Sequence, residues 1–209
     1  MIKALLLIVA PSKQWEQIYR AQRSLLFVLV VFLLPLLIIS SAAEGYGLMH
    51  WGKWQGPLAH APKLFSLGET VVFEVIQFVL SLAVVLINAG LILSTGGTFH
   101  GRHTFAQGFT TIAYGLSPLF LFRLLNASSD VPSWAAWGVG ILFSLAILYH
   151  GVPRIMQPDP AHAFGLYLIT SLLVIFTTGL EQLITASYLQ GKFPKLDELI
   201  SHAAAKLPF

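Results

Sequence analysis

Apolar positions run continuously along this chain for long stretches, without the alternation of a half-buried strand. Five stretches of nineteen to twenty-two residues contain no charge: 24–43, 75–93, 104–122, 131–152 and 161–180. A helix crossing the hydrocarbon of a bilayer needs about 20 mostly apolar residues. Barrel strands alternate polar and apolar positions, and these runs do not. In lipid, a helix satisfies every backbone donor and acceptor internally. The pattern predicts an all-α integral membrane protein, a bundle of five transmembrane helices.

Two flanking segments have a different period. Residues 14–22 place Trp15, Ile18 and Tyr19 on one side, with Lys13, Arg20 and Arg23 near headgroups. The tail 195–206 spaces Leu196, Leu199, Ile200 and Ala203 at helical intervals. Both read as short interfacial helices at the two termini. The expected organisation is a cytoplasmic arm over 1–23, a five-helix domain over 24–190 and an amphipathic tail over 191–209. The long connection 45–67 carries Tyr46, Trp51 and Trp54, residue types that favour the membrane interface. Ser41-Ala42-Ala43 resembles a signal-peptidase site. It follows a run too long and too far from Met1 for a signal peptide, so no cleavage is expected.

Composition agrees with the pattern. Hydrophobic residues are 56% of the chain and charged residues 10%, against about 25% charged in soluble domains. Without cysteine there is no disulfide scaffold, thiol nucleophile or thiolate metal site. A formal charge of +3 with no basic run argues against a nucleic-acid partner. Lys3, Lys13, Arg20 and Arg23 cluster before the first span, which predicts a cytoplasmic N-terminus and a C-terminus outside.

Local motifs line up on this frame. They are Pro11-Ser12-Lys13-Gln14-Trp15, Leu34-Pro35-Leu36, Tyr114-Gly115-Leu116-Ser117-Pro118, Gly151-Val152-Pro153 and Pro158-Asp159-Pro160-Ala161-His162. In this order the chain resembles a bacterial member of the Yip1 family, over residues of about 11 to 190. The resemblance implies a compact five-span domain in the cytoplasmic (inner) membrane. It marks Trp15, Pro35, Tyr114, Pro118, Gly151 and Pro153 as structural. Eukaryotic relatives engage Rab-type GTPases through a longer cytosolic region. The arm here is about 23 residues, so that role is not carried over.

Few residues invite chemistry. Glu74, Arg123 and Glu181 close the second, third and fifth apolar runs, and Asn88 lies inside the second with Gln77 above it. A charge at mid-membrane costs about 2.5–3.5 kcal/mol on insertion scales. End positions favour three separate side chains snorkelling to headgroups; the alternative is Arg123 bridging the two carboxylates at a cavity mouth. Asn88 reads as packing glue between helices. Pro118 should kink its helix. His100, His103, His150 and His162 fall on one side of the membrane, but no carboxylate accompanies them at metal-site spacing, and no metal or other cofactor is expected. Asn126-Ala127-Ser128 fits an N-glycosylation pattern that is incidental beside the membrane. Hydrolase and phosphate-loop signatures are absent.

These readings predict a non-enzymatic membrane protein that associates through its helices. Its partners would be the bilayer and another membrane protein, or a second copy of itself. Its role would be scaffold or accessory subunit. Trp134 and Trp137 beside Gly138 and Gly140 suggest the fourth span as the contact surface. The alternative is a small transporter or channel with a cavity lined by Glu74, Asn88, Arg123 and Glu181.

Overall fold

The structure is a computed structural model that describes residues 2–54, 61–99 and 103–206, and in 194–197 the backbone alone. Eight helices account for most of the described residues. Two short ones, α1 (Ile2–Val9) and α2 (Pro11–Ala21), form the arm. Five are long and apolar enough to cross a membrane: α3 (Leu25–His50), α4 (Leu67–Thr98), α5 (Phe105–Ala127), α6 (Ser133–Met156) and α7 (Ala163–Leu189). A last helix, α8 (Pro194–Ala204), follows. The chain is therefore an all-α multi-pass membrane bundle.

The starts of α4 and α5 are written in the sequence. Ser66 and Glu69 form a reciprocal capping box on α4, and Thr104 and Gln107 form one on α5. Each side chain satisfies a backbone donor that the first helical turn leaves unpaired. Prolines set the irregular turns. In α3 the residues Val28–Leu33 form a π-helical stretch just ahead of Pro35, a known way to absorb a broken hydrogen-bond ladder. In α5 the helix breaks at Leu116, before Pro118. Pro118 cannot donate to the Tyr114 carbonyl. The Ser117 hydroxyl donates to it instead, at 2.7 Å.

α5 is the axis of the bundle. Of its most apolar eighteen-residue window 78% is buried, against 28–44% for the other four spans. It contacts α3, α4 and α6, while α7 closes the ring between α4 and α6. α1 also lies against α5 and α6, with Ala4 and Leu7 wholly buried. The arm thus packs one face of an apolar helix against the bundle, with Ile2, Leu5 and Val9 exposed on the other, as well as laying α2 against α6.

The helices outrun the charge-free stretches. α3 continues to His50, so 44–50 is helix and not the start of a connection. α4 begins eight residues before the apolar run, and α7 ends nine after it. Glu74 and Glu181 therefore lie about two turns inside their helices, and Arg123 lies in the last turn of α5. A hydropathy run stops at the first charge, whereas a helix continues wherever a partner neutralises that charge.

Candidate functional site

Arg123, one turn from the end of α5, sits among carboxylates from two neighbouring helices. Its Nε donates to Glu44 of α3 at 2.5 Å, and its Nη2 donates to Glu74 of α4 at 2.5 Å. Nη2 also lies 3.2 Å from the Ser41 hydroxyl. Asn126, one turn on, donates to the other oxygen of Glu44 at 3.0 Å. Glu44, Glu74, Arg123 and Asn126 are all buried.

The local sequence explains how α3 and α5 approach closely enough. A Cβ on Gly47 would collide with the backbone of Ala127, so only glycine permits this contact. The same contact brings Glu44, one turn before Gly47, onto the Arg123–Asn126 face. At 1.5 Å per residue, Glu74 lies about 10 Å inside the start of α4 and Glu44 about 9 Å inside the end of α3.

Glu181 takes a separate place. It accepts from the Ser81 hydroxyl of α4 at 2.5 Å. With Arg123, Gln77, Ser81, Gln182 and Trp137 it lines a cavity of about 30 Å³. That is room for one or two waters. Four buried side-chain atoms around it have no hydrogen-bond partner: Arg123 Nη1, Gln77 Oε1, Asn126 Oδ1 and Gln182 Nε2. Two donors and two acceptors beside a carboxylate match the hydrogen-bonding of water.

Asn88 is elsewhere. It donates to the Val84 carbonyl at 2.8 Å and to Thr177 of α7 at 2.7 Å, tying α4 to α7. The four sequence candidates thus divide: Glu74 and Arg123 meet, Glu181 shares only the cavity with Arg123, and Asn88 bridges two helices. Glu44 and Asn126 were missed. Glu44 follows the first apolar run and reads as its end. Asn126 reads as part of a glycosylation pattern, yet it is buried and hydrogen-bonded. An uninterrupted helical stretch from 43 to 50 was the available signal for Glu44.

Lys53 flanks the cluster outside the membrane helices. It donates to the carbonyls of Ser128 at 2.6 Å and Val131 at 3.2 Å. Burial pushes its amine below the usual lysine range, and Glu44 and Asp130 pull it back up.

At the arm end the contacts are aromatic. Trp15 is fully buried and donates its indole N–H to the Ile147 carbonyl at 2.9 Å. Its ring meets Tyr114 edge-on at 6.3 Å, and Phe32 lies 4.1 Å from Tyr114. Gly151 leaves the space for it, since a Cβ there would enter the indole ring. Glu16 pairs with both Arg154 and Arg20. So Trp15, Tyr114 and Gly151 form one lock, while Pro35, Pro118 and Pro153 lie within helices α3, α5 and α6.

Among the described residues the histidines do not assemble. His100 lies outside the described residues. His103 Nε2 is 3.3 Å from the Ile92 carbonyl, His150 Nδ1 is 3.4 Å from the Ser12 hydroxyl, and the His162 ring is 6.2 Å from that of Phe99. Among the described residues no group of three or more histidine or acidic side chains is placed to hold a metal ion. On α6, Gly140 is packed against Leu119 and Phe122, and Trp137 lies 3.3 Å from Thr178. Only Gly138 of that small-residue pair faces open space.

Comparison with known proteins gives one family. The Yip1 domain matches residues 5–180, which takes in the arm and most of the five spans. No curated protein and no solved structure matches the chain.

Proposed function

The chain belongs to the Yip1 family, and from that premise we propose that it works as a scaffold or accessory subunit in a membrane complex. It catalyses nothing in this reading and acts through its lipid-facing helix surfaces. In this reading it sits in a bacterial cytoplasmic membrane, N-terminus inside and C-terminus outside; the basic residues ahead of the first span support that orientation.

The observation that carries this is where the polar groups go. Arg123, Glu44, Glu74, Asn126 and Asn88 each hydrogen-bond one another or a neighbouring helix, with single atoms left over on four of them. The cavity that remains among them takes one or two waters. A transporter needs such side chains around a volume of solute size. Large apolar side chains are meanwhile exposed along α3, α4, α6 and α7, Leu142 and Phe176 among them.

Gentle solubilisation at native expression, affinity capture and mass spectrometry test the proposal. A stoichiometric second membrane protein is expected. Gly138→Trp should reduce its capture without altering the fold, because nothing lies within 4 Å of an added Cβ. A monomer or homo-oligomer with no second protein overturns the reading. Flux assays in proteoliposomes would then take up the transporter alternative.

A further inference from the structure

The arm does not lie flat on the membrane surface. The Ser12 hydroxyl is 3.4 Å from His150 Nδ1 of α6, and the Tyr19 hydroxyl accepts from Gln157 at 2.7 Å, both pairs being 138 positions apart. Between them, Glu16 and Arg154 pair at the same offset. α2 therefore runs beside the last turns of α6 and in the same direction. The chain ahead of Ser12 heads back along α6 toward mid-membrane. α1 keeps that course, packing on α6 and on Ser117–Phe122, the part of α5 that lies beyond Tyr114 from the arm end.

Lys3 precedes Ser12 by nine residues, about 13 Å of helix at 1.5 Å per residue. His150 lies just inside the end of the charge-free run 131–152. Lys3 thus comes near the centre of a hydrocarbon layer about 30 Å thick. α1 buries Ala4 and Leu7 in the bundle and exposes Ile2, Leu5, Leu6 and Val9. Lipid accepts that apolar stripe. Lys3 is the exception. It is exposed on the same helix, and among the described residues no carboxylate pairs with it.

A lysine at that depth costs about 2.5–3.5 kcal/mol on insertion scales. Snorkelling recovers little of this. Side chains lean toward the N-terminal end of a helix, which in α1 is the deep end. The four-carbon stem reaches about 6 Å, roughly half the way back to the level of His150. The group opposite Lys3 must therefore bring negative charge into the membrane. A second copy of this chain has none to offer. Among the described residues, Glu44 and Glu74 are buried at the far end, Glu181 lines the internal cavity, and the other carboxylates lie outside the five charge-free runs.

We propose that the exposed face of α1 docks a span of a different membrane protein, one that carries an Asp or Glu near mid-membrane, with Lys3 as its ion-pair partner. This rests on the scaffold reading and deepens it by giving the chemistry of the partner.

The test places a photo-crosslinker, p-benzoylphenylalanine, at the exposed Leu5 of the full chain in native membranes and maps the crosslinked peptide by mass spectrometry. The expected product is a second membrane protein, joined inside a span and within about two turns of an Asp or Glu. Lys3→Met should cut the yield by about tenfold or more, as loss of one partner of a buried charge pair implies, while Lys3→Arg should keep it. Lys3→Glu should abolish it, and a Lys in place of the partner's acid should then restore it. Thermal unfolding should be the same for all three Lys3 variants, because the side chain is exposed. Crosslinks to lipid alone, to a second copy or to a span without an acid overturn the proposal, as does a yield indifferent to Lys3→Met. A partner that is captured whether or not Lys3 is charged leaves the scaffold reading standing without the Lys3 contact. Capture of no second protein overturns both.

Discussion

At the arm end, Trp15 fills the space left by Gly151, meets Tyr114 edge-on and gives its one polar atom to the Ile147 carbonyl. At the far end, Arg123 holds Glu44 and Glu74, yet Nη1 and Glu74 Oε1 remain without partners. The first region is apolar, shape-matched and hydrogen-bonded at its one polar ring atom. The second is ionic, with orphaned atoms, an internal cavity on one side and an apolar groove on the other. A packed apolar contact needs no ligand. A buried ionic cluster with orphaned atoms is where water has something to bind. The difference is between an end held by shape and an end held by charge.

The hardest way to break this contrast is to remove the central charge. Arg123→Leu leaves two buried carboxylates unpaired and should lower unfolding stability by about 3–5 kcal/mol, measured by chemical unfolding in mixed micelles. Replacing Glu44, Glu74 and Arg123 together by Leu should recover most of that loss, since an apolar trio buries no charge. If the triple variant is as unstable as Arg123→Leu, shape and not charge holds this end.

Gly151→Leu probes the other end through size. Overpacking against Trp15 should cost about 1–3 kcal/mol. Pairing it with Trp15→Leu should cost less than the sum of the two single changes, because the second makes room for the first. Strict additivity would mean that the two residues do not share the space.

The smallest effect belongs to Lys53, at the rim of the ionic end. Its folded-state amine titrates below the ordinary lysine value of 10.5. The unfolded chain therefore holds that proton to higher pH than the folded one. Stability should rise with pH between the folded value and 10.5. Lys53→Met should remove that rise and otherwise cost about 1 kcal/mol for the bonds to Ser128 and Val131. An unchanged pH profile in the variant would show that another group supplies the slope.

Much of the frame was legible from the chain. The five spans show as charge-free runs, because transfer into lipid depends on local composition. The early Pro-x-x-x-Trp and the Gly-x-Pro near the end of the fourth span show as motifs, and the structure brings Trp15 and Gly151 from them into one contact. The site was legible only in part. Arg123, Glu74 and Glu181 stand out as charges beside hydrocarbon, but nothing in their spacing says which carboxylate meets the guanidinium. Glu44 lies seventy-nine positions from Arg123, and it passed for the end of a span because apolar runs are measured up to the first charge.

What the sequence determined alone is the solvent, the number of spans and the break near Pro118. These follow from hydropathy and a missing N–H group, each a property of a few neighbouring residues. Only the tertiary structure decided that Glu44 replaces Glu181 beside Arg123, that α1 packs against the bundle and that Glu74 lies at the wall of an apolar groove. Those outcomes depend on the rotation and register of one helix against another. Close contacts such as Gly47 on Ala127 set that register across eighty residues of chain, a separation over which no local pattern carries information.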